Sequence, residues 1–190
     1  MRRFQTTSYE PPPTGNHPAR VTSYVFLGTQ TSEFGIRKQC WLEFELVKVR
    51  PDDETPTKVG RFCTASMAKK AKLREIVESI QGQPLTDAEA RRFNVGTLLG
   101  KGCMLSITHK EGENGIRAKV GTITSVPEGL EVPEARTVTT DYDCEEDGPE
   151  IPGTVPEFIG DILMRSPQWK EANDRGPDPD DDIPPSVEGE

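Results

Sequence analysis

The chain has 190 residues, 33% of them hydrophobic, with 17 glycines and 17 prolines; this suits one domain with appendages and excludes a packed core throughout. Its net charge of −9 combines two regions of opposite sign, because residues 1–130 carry 19 Lys/Arg and 14 Asp/Glu whereas residues 131–190 carry 4 and 18. No apolar run approaches the roughly 20 residues that span a bilayer, and the N-terminus lacks the apolar segment of a secretory signal, so we expect a soluble, cytoplasmic protein without membrane contact.

The first third of the chain predicts an arm followed by three strands. Residues 1–18 are polar and proline-rich, which favours an extended N-terminal arm. Residues 19–27 are rich in β-branched and aromatic types and predict the first strand. Residues 37–49 alternate with period two, which predicts a half-buried second strand. Cys40, Leu42, Phe44 and Leu46 fall on one face, and Trp41, Glu43, Glu45 and Val47 on the other. Residues 59–65 predict a short third strand.

A helical pattern follows the third strand, in which Leu73, Ile76, Val77 and Ile80 share one face. Ser66 is a natural N-cap and Gly82 is placed to end the helix. The pattern Thr86-Asp-Ala-Glu89 is a capping box that predicts a second, short helix through about Arg92. Basic residues crowd the first turns of the first helix, where we expect them on its solvent side. They are Lys69, Lys70, Lys72 and Arg74.

Two further strands complete the predicted domain. Residues 103–110 and 116–126 have strand composition and are separated by a turn that contains Asn114-Gly115. Five strands with a helix between the third and fourth is the element order of an OB-fold, a small Greek-key barrel. We therefore predict a mixed all-β/α+β class, with an OB-fold domain over residues 19–127 and another α+β domain as the alternative.

The composition changes after the predicted barrel. Residues 128–173 are acidic and proline-rich at first, which predicts a linker over the surface, and then helical from Phe158. Phe158, Ile159, Ile162 and Leu163 share one helical face, and Ser166-Pro167 has the form of an N-cap followed by the first helical position. This helix either docks on the barrel or binds a partner. Residues 174–190 have the composition of a disordered acidic tail.

The reactive residues do not form a recognisable catalytic or metal site. Cys40, Cys63, Cys103 and Cys144 include no Cys-x-x-Cys pair, which favours reduced and mostly buried thiols. The sequence contains none of the common phosphate-loop, zinc-protease or nucleophile-elbow motifs. We therefore expect neither an enzyme nor a protein that needs a metal or cofactor.

The barrel segment interleaves basic and aromatic residues. Proteins that bind single strands of nucleic acid need a positive groove for phosphates and aromatic rings on which bases stack. Basic residues stand shortly before Trp41 and Phe62, and others flank the fourth and fifth strands. This predicts binding of single-stranded DNA with little sequence preference. The candidate residues are Tyr24, Phe34, Arg37, Lys38, Trp41, Arg61, Phe62, Lys101, Arg117 and Lys119.

Trp41 is the candidate on which strand alternation bears most directly. If the Cys40 face of the second strand fills the barrel, Trp41 points outward, either as a stacking platform or covered by the linker or the C-terminal helix. Glu43 and Glu45 share its face, which is unfavourable for a polyanion there.

The C-terminal stretch Asp180-Asp181-Asp182-Ile183-Pro184 resembles the acidic tip of bacterial single-stranded-DNA-binding proteins. In that family the tip ends in Asp-Asp-Asp-Ile-Pro-Phe and docks partner replication and repair proteins. The match covers five of those six residues, and Pro185 stands where the family has Phe. The resemblance implies that these five residues bind replication or recombination proteins.

The body resembles bacteriophage OB-fold single-stranded-DNA-binding proteins. The similar stretches are residues 18–35, 70–115 and 158–170, and they define no site residues. The resemblance implies a phage accessory protein of DNA replication or recombination, located in the host cytoplasm. The sequence leaves a homo-oligomer open. The alternative is a phage structural or protein-interaction module whose barrel does not bind DNA.

Overall fold

The structure is a computed structural model that describes residues 11–33, 35–49, 55–112 and 115–175. Most of the regular secondary structure is antiparallel sheet, with helices between β3 and β4 and at the C-terminal end of the described chain. The elements are β1 (Gly15–Ser32), β2 (Gly35–Val49), β3 (Pro56–Thr64), α1 (Lys72–Gln81), α2 (Asp87–Arg92), a 3₁₀ helix (Val95–Leu98), β4 (Gly102–Gly112), β5 (Gly115–Thr124), β6 (Thr140–Asp143), α3 (Glu157–Leu163) and α4 (Pro167–Arg175).

The long strand β1 organises the sheet, whose strand order is β3-β2-β1-β4-β5 with all these pairs antiparallel. Residues 15–20 of β1 pair with β4, and residues 23–26 pair in parallel with β6. Two irregularities in β1, between Val21 and Ser23 and between Phe26 and Gly28, interrupt its register with β2. Such bulges increase local twist, which curves the sheet.

The two end strands of this path, β3 and β5, are joined by a side chain. The guanidinium of Arg61 on β3 donates to the carbonyls of Val120 and Gly121 on β5. Within the described chain no backbone pairing joins these two strands. The sheet is therefore open along this line, and Arg61 spans it.

The predicted alternation of β2 is confirmed. Cys40, Leu42, Phe44 and Leu46 are buried in the inner core, with Val59 and Cys63 of β3, the apolar face of β4 and the helix α1. On α1, the residues that pack into this core are Leu73, Ile76, Val77 and Ile80. The four cysteines are free and buried, as expected, and burial raises the pKa of the Cys103 thiol to about 12.

A second apolar core lies on the outer face of β1 and β2. Val25, Leu27 and Trp41 pack there against Tyr142 of β6 and against Ile159 and Leu163 of α3. The C-terminal helix therefore docks on the sheet, which decides between the two alternatives left by the sequence. The segment predicted as a linker over the surface includes a strand that the sequence did not indicate, β6 at Thr140–Asp143.

The helix boundaries differ from the sequence prediction at two points. α1 begins at Lys72 after Ala71, not at Ser66, whose hydroxyl instead accepts from the Ala68 N–H. α4 continues through Arg175, so residues 174 and 175 do not belong to the tail. The Gly82 end and the Thr86–Glu89 capping box are confirmed. The Ser166 cap is also confirmed, since its Oγ accepts from the Trp169 N–H at 3.1 Å.

Arg74 is buried, which corrects the expectation that it belongs to the solvent side of α1. Its guanidinium donates to Glu78 Oε1 at 2.9 Å and to Asp87 Oδ1 at 2.7 Å, so it links α1 to α2. Hydrogen bonds from Arg74 hold the pKa of both carboxyls below their ordinary values. None of the helices within the described residues has the length and apolar character needed to cross a membrane.

Glu45 fixes the segment after β5 to the outer face of the sheet. Its carboxylate accepts from the Arg136 N–H at 2.7 Å and from both the N–H and the hydroxyl of Thr137. Burial alone would raise the pKa of the Glu45 carboxyl. The hydrogen bonds and the nearby Lys58 ammonium lower it by more, so the pKa lies below its ordinary value.

Replacing Glu45 with Gln should lower the free energy of unfolding by about 1 kcal/mol at neutral pH, because two backbone donors lose a charged acceptor. The folded-state pKa is depressed, so the contribution of Glu45 is complete above about pH 5 and is lost as pH falls through that pKa. Urea unfolding at about pH 7 and about pH 3 measures this difference, with the exposed Glu128→Gln as control. An equal loss at both pH values would contradict the role given to the charge.

Candidate functional site

An open groove of about 910 Å³ lies where β3 and β5 separate. One wall is the outer face of β2 and β3, and the other is the first part of β5, next to the β4–β5 hairpin. The segment before β1 and the helix α3 each contribute one lining residue. The lining residues are Pro11, Trp41, Glu43, Lys58, Val59, Gly60, Phe62, Gly115, Ile116, Arg117, Ala118 and Phe158.

Three aromatic rings from three elements meet at this groove. Trp41 is 7% exposed, whereas Phe62 is 44% and Phe158 is 52% exposed. The ring centroids of Trp41 and Phe62 are 4.6 Å apart, and those of Trp41 and Phe158 are 5.5 Å apart in an edge-on arrangement. Trp41 therefore supports two phenyl rings that face solvent. We call these three residues the aromatic cluster.

The position of Trp41 depends on a glycine in the next strand. A Cβ at Gly60 would lie 1.7 Å from Cζ2 of Trp41, so only Gly leaves room for the indole to lie across β3. The indole N–H has no hydrogen-bond partner within the described chain. A buried donor without a partner costs about 1–3 kcal/mol, so packing of the rings must offset this loss.

Glu43 and Glu45 do not present free carboxylates to the groove. Glu43 is buried and pairs with Lys58 Nζ at 3.0 Å, and Glu45 binds the backbone at residues 136 and 137. These two acids therefore leave little free negative charge on the outer face to repel a polyanion. Arg117 lies on the opposite wall.

The hairpin beside the groove carries a strip of exposed cations. Lys110 and Arg117 are direct cross-strand partners, and Lys119 is two residues further on the same face. Like charges directly opposite each other are unfavourable for the sheet itself. Their placement on a hairpin next to exposed rings suits an anionic ligand better than it suits stability. We call Lys110, Arg117 and Lys119 the basic strip.

The structure brings together only part of the predicted set. Trp41, Phe62 and Arg117 line the groove, and Lys119 belongs to the basic strip. Of the two alternatives that the sequence left open for Trp41, the structure shows the covered one, since the indole packs against Phe62 and against Phe158 of the C-terminal helix.

Two of the residues predicted to contact DNA make contacts within the protein instead. Tyr24 packs against the inner core, where burial together with nearby thiol and carboxyl groups raises its pKa, and Arg61 bonds the β5 backbone. Neither residue is among those that line the groove.

The remaining candidates lie elsewhere. Arg37 and Lys38 are exposed on the β1–β2 hairpin, with Lys38 Nζ 5.5 Å from the Phe26 ring centroid. The Lys101 side chain is exposed at the start of β4, while its carbonyl accepts from the Val21 N–H. Phe34 and the tail residues 180–184 lie outside the described residues.

Of the residues that line the groove, sequence reasoning named Trp41, Phe62 and Arg117 as DNA contacts and missed the others. Lys58 and Ile116 lie in predicted loop or strand-end positions, and Pro11 belongs to the arm. Phe158 was grouped with the buried face of α3, but its ring projects from that face toward Trp41. Only the tertiary contact between α3 and β2 identifies it, and no local pattern encodes that contact.

No protein-family model matches this chain, and a comparison with curated proteins gives no match. The groove is therefore defined by its own geometry. It combines a shallow apolar floor, two exposed phenyl rings and neighbouring cations, which together suit a ligand with flat rings and negative charge.

Replacing Gly60 with Ala should displace Trp41 and lower the free energy of unfolding by about 1–3 kcal/mol, as overpacking does in other cores. The emission of Trp41, isolated in a Trp169→Phe background, should shift as the indole moves. Gly153→Ala is the control, because a Cβ there meets nothing within 4 Å. Unchanged stability and emission for Gly60→Ala would contradict the packing described for the aromatic cluster.

Proposed function

We propose that this chain binds single-stranded DNA with little sequence preference in the groove between β3 and β5. The observation that carries the proposal is the pair of exposed rings, Phe62 and Phe158, on the wall of an open groove. Stacking on such rings contributes about 1–3 kcal/mol per base and tolerates any base. Binding rather than catalysis is the role we propose for the site.

The sheet supports an OB-fold for this role. In that fold oligonucleotides bind across strands 2 and 3 and the loop between strands 4 and 5. Here the groove lies on β2 and β3 and extends to the β4–β5 hairpin. The Arg61 bonds to β5 lie where a barrel of this topology would close. We propose a five-stranded barrel that is open at the groove.

The basic strip would supply the phosphate contacts. Lys110, Arg117 and Lys119 are exposed on the hairpin that forms one wall of the groove, and Arg37 and Lys38 are exposed on the β1–β2 hairpin, outside the groove lining. Each phosphate contact releases counterions, so binding should weaken as salt rises. Bases on the aromatic cluster and phosphates on the hairpins would give the general affinity expected of an accessory protein in phage DNA replication or recombination.

A protein-interaction module is the second candidate. The observation that favours it is the Glu43–Lys58 ion pair, which neutralises a cation inside the groove and leaves a mostly apolar rim of Phe62, Ile116 and Phe158. Titration of labelled oligo-dT at two salt concentrations separates the two. An absence of binding at low micromolar protein and low salt would favour the interaction module.

Replacing Phe62 and Phe158 together with Leu should weaken oligo-dT binding by roughly tenfold or more, since stacking is lost while apolar cover of Trp41 is kept. Leu130→Ala is the matched control, because Leu130 is 43% exposed and lies outside the groove. Fluorescence anisotropy of the oligonucleotide gives the affinity, and thermal melting confirms that the variants fold. The same affinity in the double variant and the control would remove the aromatic cluster from the interface.

Deleting residues 176–190 should tighten oligo-dT binding at low salt by roughly two- to tenfold and have little effect at about 0.5 M salt, because screening removes charge competition. This deletion removes six carboxylates and keeps α4 intact. Removal of residues 186–190 alone, with two carboxylates, is the control. If binding is unchanged or weaker, the acidic stretch 180–184 does not compete with DNA, and docking of replication or recombination proteins becomes its sole proposed role.

A further inference from the structure

The indole N–H of Trp41 is one of two buried side-chain polar groups that have no hydrogen-bond partner among the residues that the structure describes. The other is the hydroxyl of Ser23. Trp41 lines the groove, whereas Ser23 lies outside its lining. The two groups therefore carry the same energetic penalty, but only the Trp41 N–H lies where a ligand can reach it.

The contacts at Gly60 show where this N–H lies. The atoms nearest to a Cβ built at Gly60 are Cζ2, Cη2 and Cε2 of Trp41, all within 2.5 Å of it. Nε1 is bonded to Cε2, so the N–H belongs to the edge of the indole that lies over β3, beside a residue that has no side chain to accept from it. Trp41 and Gly60 both line the groove, so this edge faces the place where a ligand would lie.

The rings that cover Trp41 can move without disturbing the inner core. Phe62 and Phe158 pack on the indole with one side and face solvent with the other, at 44% and 52% exposure. Neither belongs to the inner core. Exposed side chains change rotamer within nanoseconds, so a small movement of either ring opens a path from the groove to Nε1.

We propose that the Trp41 N–H is a base-contacting donor of the DNA site: it lacks a partner in the free protein and donates to the edge of a base that stacks on the aromatic cluster. This inference rests on the proposed function. In oligo-dT the acceptor would be a thymine carbonyl oxygen. A phosphate is a less suitable acceptor, because Lys58, the lining cation on this wall, is already paired with Glu43, and burying an unpaired anion is costly.

Replacing Trp41 with benzothienylalanine tests this role, because a sulfur atom takes the place of the N–H in a ring system of the same shape. The melting temperature of the free protein should rise by about 2–4 °C, since a buried donor without a partner is removed. The affinity for oligo-dT should fall roughly three- to tenfold, since the bond from that donor to the base is lost. The slope of log affinity against log salt should stay the same, because no phosphate contact changes.

Ser23→Ala is the matched control, because it removes the other buried group without a partner, outside the groove lining. It should also raise the melting temperature, and it should leave the affinity for oligo-dT unchanged. An unchanged affinity in the benzothienylalanine variant as well would overturn the proposal, because the N–H would then matter only to the folded state. An equal loss of affinity for oligo-dT and for an abasic strand of the same length would also overturn it, because the acceptor would then be a phosphate.

The indole protons give a second measurement that leaves Trp41 unaltered. The chain has two tryptophans, and the Trp169 N–H already donates to the Pro149 carbonyl at 3.0 Å. When oligo-dT is added to the nitrogen-15-labelled protein, the Trp41 indole proton should move downfield as its hydrogen bond forms, and that of Trp169 should stay in place. Trp169→Phe assigns the two signals.

The outcomes separate this inference from the proposed function. If the unaltered chain fails to bind oligo-dT at low salt, both are overturned. If it binds, but the Trp41 indole proton does not move, only the role given to the N–H is overturned, and stacking on Phe62 and Phe158 stands without it.

Discussion

The structure depends on the burial of β1 and β2 on both faces. An antiparallel sheet can leave one face to solvent, but here the inner face carries the helix-capped core and the outer face carries the second core. One row of cross-strand partners shows how the outer face is built: Phe62 on β3 pairs with Trp41 on β2, Trp41 with Val25 on β1, and Val25 with Tyr142 on β6. α3 covers the Val25–Tyr142 end of this row and stops over Trp41. The groove begins where that cover ends, so the candidate site is a consequence of incomplete burial of one row.

Several local rules of stability are broken at this edge of the sheet. The indole N–H of Trp41 is buried without a partner in the described chain, two phenyl rings are half exposed, and Lys110 lies directly opposite Arg117. Each feature costs stability where it stands. Departures of this kind concentrate at functional sites, because a surface that binds must keep some interactions unsatisfied until its ligand arrives. Their concentration around one groove is a stronger argument for a site than the groove's volume.

The sequence predicted the inner core well and the outer face poorly, for a physical reason. Period-two alternation identifies the two faces of β2, and the spacing of Leu73, Ile76, Val77 and Ile80 identifies one face of α1, because both depend on neighbours within a single element. Whether Trp41 is open or covered depends on where a segment more than a hundred residues later docks. β6 was missed because its four residues have no period of their own and are ordered by pairing with Ser23–Phe26. The start of α1 was misplaced because Ser66 is a good cap whose hydroxyl bonds within a turn instead.

In the folded structure, the acidic residues of β6 also lie apart from the basic residues beside the groove. Asp141 and Asp143 lie on β6, where burial and then neighbouring carboxylates, including those of Glu146 and Asp147, raise their pKa. β6 and β3 are at opposite ends of the row from Phe62 to Tyr142, three strand spacings apart, or about 14 Å. That distance exceeds the Debye length of about 10 Å at 0.1 M salt, so exposed carboxylates at β6 are largely screened from an anion at Phe62. Arg117 and Lys119, by contrast, are on the strand that forms the groove's own wall. The negative net charge of the chain is therefore compatible with a polyanion in the groove, because Arg117 lies on its wall, Glu43 is paired with Lys58, and the carboxylates of β6 lie more than a Debye length away.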